Sequence, residues 1–249
     1  MEDVLEIAVR GRGQCDFPAG SESLATEWDA RVESWADVCA GPAFQRFRDR
    51  VVAEAAPARD ADVVDIGCGT GLLALAFAPR VRRVWALDVS PGMVADIGRR
   101  ARHAGIDNII ALCADARVLP LPDESIDLAV SSYALHHVDA EGKHESLDEA
   151  YRVLRPGGRL IVVDMMFSVS LRRDDRRVIG QKALQVIKKG PAGVVRLLRN
   201  ATRVARGTWE HPASPEWWSR AAEGHGFSEV QAGRLEQEAG ILIAVKPAA

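Results

Sequence analysis

Three glycines at alternate positions, Gly67, Gly69 and Gly71, follow an apolar run that carries one acid, Asp65. A turn built from residues without side chains lets a ligand lie directly against the main chain. The unpaired amides that open the helix behind it suit an anionic carboxylate. The spacing is G-x-G-x-G, whereas a dinucleotide fingerprint needs its third glycine at position 72, which is Leu here. Asp88 comes 21 residues after Gly67, where a carboxylate can accept from both ribose hydroxyls of an adenosine. Asp115, in Ala114-Asp115-Ala116, is placed to accept from an adenine amino group. Further along stand Tyr133, His136, His137 and Asp164, side chains able to take a proton from a hydroxyl or an acidic carbon. For each histidine a packing role competes with the chemical one, and Asp164 can equally cap the segment after it. The His136–His137 pair has no further ligand at helical spacing, so no metal site is expected.

These residues need elements that bring them together, and the order of elements supplies them. From residue 60 short apolar runs alternate with helical stretches, the rhythm of a parallel sheet covered on both faces. Strands are expected at 62–67, 84–88, 108–113, 126–131 and 159–164. A helix is expected at 71–80, another from Ser90-Pro91 to Gly105, and a third at 142–154 that Arg155-Pro156-Gly157-Gly158 stops. Each candidate acid then falls at a strand's carboxyl end, where open parallel sheets bind ligands. Ser214-Pro215 starts a last helix, and Ser228–Leu235 and Gly240–Lys246 read as a closing antiparallel pair.

The chain reads as one domain with four parts: a helical cap (1–57), a core (58–167), a helical insertion (168–212) and closing elements (213–249). In the cap, Trp28 and Trp35 lie seven apart, on one helical face. The insertion is unusual in charge. Residues 168–207 hold eleven Lys or Arg against two acids, Asp174 and Asp175, in a chain of net charge −3. Apolar residues recur through it at helical spacing, which predicts two amphipathic basic helices. They can cover an apolar acceptor, touch an anionic membrane or acidic substrate, or present a solvated face. The balanced overall charge gives no reason to expect a DNA partner. The amino terminus is acidic and no apolar run approaches the roughly 18 residues of a membrane span, so a cytoplasmic protein is expected. Four scattered cysteines without a C-x-x-C pair read as reduced thiols. Oligomeric state is not legible.

Asp65 with the glycine turn, Leu87-Asp88-Val89-Ser90, Cys113-Ala114-Asp115-Ala116, Ile126–Ser131, Leu135-His136-His137-Val138 and Arg152–Gly158 together resemble the class I S-adenosylmethionine-dependent methyltransferases. The similarity is to the small-molecule group that includes the quinone C-methyltransferases. It implies a Rossmann-like, doubly wound α/β fold: a mostly parallel seven-stranded sheet with an antiparallel closing strand, a helical cap and a basic helical lid. It also implies that Asp65, Cys68 and the three glycines hold the methionine end of the cofactor. Asp88 would take the ribose, with Val89 and Met93 beside the adenosine; Asp115 and Ala116 would meet the adenine, and Ser131 the methionine amino group. His137, Tyr133 and Asp164 would face a small-molecule acceptor. A sulfonium methyl is already activated, so alignment and exclusion of water are the main tasks, and S-adenosylhomocysteine is the product. An RNA or other polyanion acceptor stays open through the basic insertion. A NAD(P)-dependent oxidoreductase or a scaffold that binds cofactor without turnover is a weaker alternative.

Overall fold

The computed structural model describes residues 18, 21–167, 211–235 and 238–248. The two basic helices expected across 168–207 lie outside the described residues. Three cap helices come first: α1 (Ser21–Asp29), α2 (Val32–Ala40) and α3 (Pro42–Ala55). Strand β1 (Asp62–Ile66) leads through the glycine turn to α4 (Ala74–Phe77) and then β2 (Arg83–Asp88). Next come α5 (Pro91–His103), β3 (Ile109–Cys113), β4 (Ile126–Ser132) and α6 (Ala140–Val153). The chain closes with β5 (Leu154–Met165), α7 (Pro215–Gly224), β6 (Ser228–Arg234) and β7 (Ala239–Val245).

The seven strands form one sheet in the order β3-β2-β1-β4-β5-β7-β6. Strands β1 to β5 pair in parallel, and β7 runs antiparallel to both β5 and β6. Strand order reverses between β1 and β4, which opens a crevice at their carboxyl ends. All five β1 residues are buried, as a strand covered on both faces must be. Alternation sends Val64, Ile66, Leu160 and Val162 to one core with Leu147 and Trp218. Val63, Ile161 and Val163 pack in the other, against Phe77 and Ile97. Each such apolar side chain contributes about 1.5–3 kcal/mol by leaving water.

Helix starts follow the expected capping chemistry. The Ser90 hydroxyl accepts from Met93 N (3.1 Å) ahead of Pro91, Asp139 accepts from Gly142 N (2.9 Å), and Ser214 accepts from Trp217 N (3.3 Å). Three expectations need correction. The helix after the glycine turn begins at Ala74 rather than 71 and gives way to a 3-10 turn at Ala78–Arg80, because the turn itself continues to Leu73. Arg155–Gly158 does not precede β5 but is a bulge within it, the register shifting between Ile126↔Leu154 and Leu128↔Arg159. Cys113 is disulfide-bonded rather than a free thiol, while Cys39 and Cys68 are free and buried. Among the described residues no helix is long and apolar enough to cross a membrane.

Candidate functional site

The site is built outward from the end of β1. Gly67 N and Cys68 N both donate to the Leu87 carbonyl (2.8 and 2.9 Å), folding the turn back onto β2. Gly67 and Gly69 hold φ of +72° and +52°, a conformation that side chains rarely adopt. A Cβ on Gly67 would stand 2.3 Å from the Ala134 Cβ, and one on Gly69 2.8 Å from the Trp35 Nε1. Asp88 then locks the turn: one carboxylate oxygen accepts from Gly69 N (2.8 Å) and the other from Ser90 N (2.9 Å). Burial pushes the Asp88 carboxyl up to about 6 despite those two amides. Each of its oxygens keeps a lone pair for a hydroxyl donor.

Gly67, Gly69, Asp88, Val89 and Met93 line a cavity of about 70 Å³ at the crevice. Its far side is formed by Asp115, Ala116, Tyr133 and His137, and its roof by Leu24, Trp28 and Trp35 of the cap. The remaining sequence candidates stand behind this lining. Asp65 accepts from Ala74 N (3.0 Å), and its other oxygen is buried without a partner. Burial pushes its carboxyl up to about 7. Ser131 donates to the Ile66 carbonyl (2.8 Å), so the neighbouring Ser132 is the one that lines the cavity. Cys68 is a buried thiol that burial and the two neighbouring carboxylates push up. A Cβ on Gly71 would meet the Ile97 Cδ1 at 2.8 Å, so that glycine serves the packing of turn on α5.

Asp115 lines the cavity, yet its lone pairs are taken. One oxygen accepts from Arg117 N and Nε (2.8 and 2.9 Å). The other accepts from Arg117 Nη2 (3.0 Å) and the Ser21 hydroxyl. Burial opposes the charge, but the guanidinium and the hydroxyl outweigh it and hold the carboxyl below its ordinary value. The cap is thus fastened at both ends of α1, since Asp29 accepts from Gly92 N (2.8 Å) and from the Ser90 hydroxyl. Between these two latches Trp28 meets Trp35 and His137 edge-on, with ring centroids 5.4 and 5.0 Å apart.

A second group of polar residues lies between β4 and β5. Asp164 is buried at the end of β5 and accepts from His136 N (2.9 Å) and Met165 N (2.7 Å). Its Oδ1 lies 2.5 Å from His136 Nδ1. Burial opposes the Asp164 charge, but His136 and these donors outweigh it and hold the carboxyl low. A carboxylate at Nδ1 fixes the proton there and leaves Nε2 as the basic nitrogen. His137 is different: burial, and then the neighbouring His136, push it down to about 3, so its ring stays neutral against Trp28. Tyr133 holds φ +50°, an uncommon backbone state that tends to occur at functional sites. Burial, then Glu238 and Asp164, push its phenol up. Lys143 is 2% exposed and donates to the Val138 carbonyl, which ties α6 to the turn carrying both histidines. Among the described residues there is no group of three metal-ligating side chains.

The sequence candidates therefore divide between the crevice lining and residues behind it, with Asp115 engaged and His136, not His137, paired to Asp164. Ser21, Arg117 and Lys143 were not foreseen; nothing in their spacing marks them, because their partners are 94, two and five residues away.

Residues 63–158 match the methyltransferase domain family. A demethylmenaquinone methyltransferase of Clavibacter sepedonicus is 38% identical over 120 residues, covering 48% of this chain and 47% of that protein. A ubiquinone/menaquinone biosynthesis C-methyltransferase, UbiE of Cupriavidus taiwanensis, is 32% identical over 146 residues, 57% of each. The chain thus spans about half the length of these curated relatives. The [4+2]-cyclase SpnF shares the fold at a TM-score of 0.69 and 19% identity, covering 95% of this chain and 100% of that one.

Proposed function

We propose that the chain is a class I S-adenosylmethionine-dependent methyltransferase, similar to the quinone C-methyltransferases, and that it methylates a small apolar acceptor whose proton is removed by His136. One observation carries the reading: a buried carboxylate, Asp88, is held by Gly69 N and Ser90 N at the mouth of the glycine turn. It is supported by the unpartnered buried oxygen of Asp65 behind the same turn and by glycines that a Cβ would obstruct. These residues fit an adenosyl amino acid.

When bound, the cofactor supplies a methyl carbon already activated by a sulfonium. Asp88 would accept from the ribose hydroxyls, with the methionine end lying against the glycine turn. Trp28, Trp35, Tyr133 and His137 wall the crevice, which excludes water and suits a planar apolar acceptor. Asp164 pairs with His136 Nδ1, so Nε2 is the nitrogen that would take the acceptor's proton as its oxygen or carbon takes the methyl. The proton ends on His136, its charge offset by Asp164. Lys143 positions the turn that carries this base.

The direct test is methyl transfer from labelled S-adenosylmethionine to hydroxylated naphthalene rings, chosen because one relative is named for demethylmenaquinone. Label in the organic phase, together with a thermal shift by S-adenosylhomocysteine and none by NADH, is expected. A shift without label transfer across phenol, quinol and amine acceptors would leave a binding scaffold.

A further inference from the structure

A second cavity, of about 430 Å³, lies on the reverse side of the glycine turn, where Thr70, Gly71 and Leu72 form one wall. The helix α2 separates it from the crevice: Trp35 faces the first cavity and the adjacent Ala36 lines the second. Three guanidinium groups reach its rim from three different elements, Arg48 on α3, Arg80 after α4 and Arg100 on α5. The one acidic side chain in its lining is Asp49.

The donors left over decide what this rim can hold. Arg48 is spent, since Nε and Nη2 donate to Asp49 (2.9 and 2.7 Å) and Nη1 to Gln45. Among the described residues Arg80 donates only to the Ala76 carbonyl (2.5 Å) and meets no carboxylate. Arg100 gives Nε to Asp96 (2.5 Å), and among the described residues its two terminal nitrogens donate to no other side chain. Arg80 and Arg100 therefore offer several N–H donors in the planar arrangement that matches phosphate oxygens. The floor is apolar, from Ala36, Ala40, Leu72 and Leu75. The volume is within the roughly 300–1,000 Å³ of small-molecule sites.

We infer that this cavity binds an organic phosphate, with the phosphate between Arg80 and Arg100 and an apolar moiety on the α2–α4 floor. The ligand's source is either a free metabolite or a lipid headgroup. Calorimetry on the full chain with phenyl phosphate, and co-sedimentation with phosphatidylglycerol vesicles, distinguish the two. Saturable binding of phenyl phosphate is expected, weakened tenfold or more in R80A/R100A, whose far-ultraviolet circular dichroism should match the wild type because Arg99 still pairs with the buried Asp96. A second variant, A40W, keeps both charges and fills the floor; it should lose phenyl phosphate equally. If vesicles bind in place of phenyl phosphate, and both variants abolish that binding, the headgroup is the source. Binding that survives in A40W would mean surface attraction without a site and overturn the inference. So would the absence of binding to either probe, or binding unchanged in R80A/R100A.

Discussion

At the scale of single residues the proposed function rests on Asp88 and His136, and each makes a distinct prediction. Asp88 accepts ribose hydroxyls only as a carboxylate, and burial pushes its carboxyl up to about 6. S-adenosylhomocysteine affinity should therefore hold above pH 7 and fall, by up to tenfold per pH unit, once the pH drops below about 6. Titration calorimetry between pH 5 and 8 checks this; a flat profile would remove Asp88 from the ribose site. Asp88→Asn places an amide NH₂ opposite one of two donating backbone amides, so affinity should drop about 10- to 100-fold, as loss of a charge-assisted hydrogen bond does. For the base, H136A should lower kcat by about 10²–10⁴ with cofactor affinity kept. H137A, which removes a neutral ring packed on Trp28, should act mainly through KM. The reverse pattern in single-turnover assays would assign the base to His137.

The cap is the element that decides access. Its α1 is pinned by Ser21 to Asp115 and by Asp29 to Ser90 and Gly92, while its indoles leave about 70 Å³ beneath them. A whole adenosyl cofactor needs a few hundred cubic ångströms, so on the proposed function α1 and α2 would move outward to admit it. An adenine amino group would find a lone pair on Asp115 only with this latch open. Asp29→Ala should loosen the cap, with faster amide hydrogen exchange across 21–40 and at the start of α5, and a core unchanged. Protection unchanged across 21–40 would mean the cap is held by its aromatic contacts alone. Much of this scale was legible beforehand: Ser90-Pro91 and Ser214-Pro215 marked helix starts correctly, since capping is local chemistry. The bulge at Arg155–Gly158 was not, because a strand's continuation past a Pro-Gly-Gly turn depends on its neighbour β4.

The whole molecule responds to pH and ligand through the same buried groups. Asp65 and Asp88 are pushed up to about 7 and 6 from ordinary values near 4. The folded state thus holds protons that the unfolded chain has released, and their charged forms cost stability at neutral pH. As pH falls from about 7 toward 4 this cost is relieved, so these two groups raise stability there, and D65N/D88N should flatten that trend in calorimetric unfolding. Asp164 and Asp115 are held low and act oppositely, their stabilisation being lost as pH falls below about 4. Saturating S-adenosylhomocysteine, at about 100 times its Kd, should add about 2.7 kcal/mol. For a chain of this size that is about 5–11 °C in Tm. No shift at that excess would deny the cofactor site.

The sequence by itself determined the sheet, the glycine turn and the acids at its strand ends, because period-two burial, capping and turn chemistry act over a few residues. It also carried the resemblance to a methyltransferase family, through motifs that share one stretch of chain. The tertiary structure decided which of those residues are free to act. Ser21 occupies Asp115 from 94 residues away, and Asp164 selects His136 over His137 from 28 residues away. Trp35 comes to rest over Gly69 from 34 positions earlier in the chain. Lone pairs, tautomers and enclosed volume are set by whatever packs opposite, and spacing along a chain does not record that.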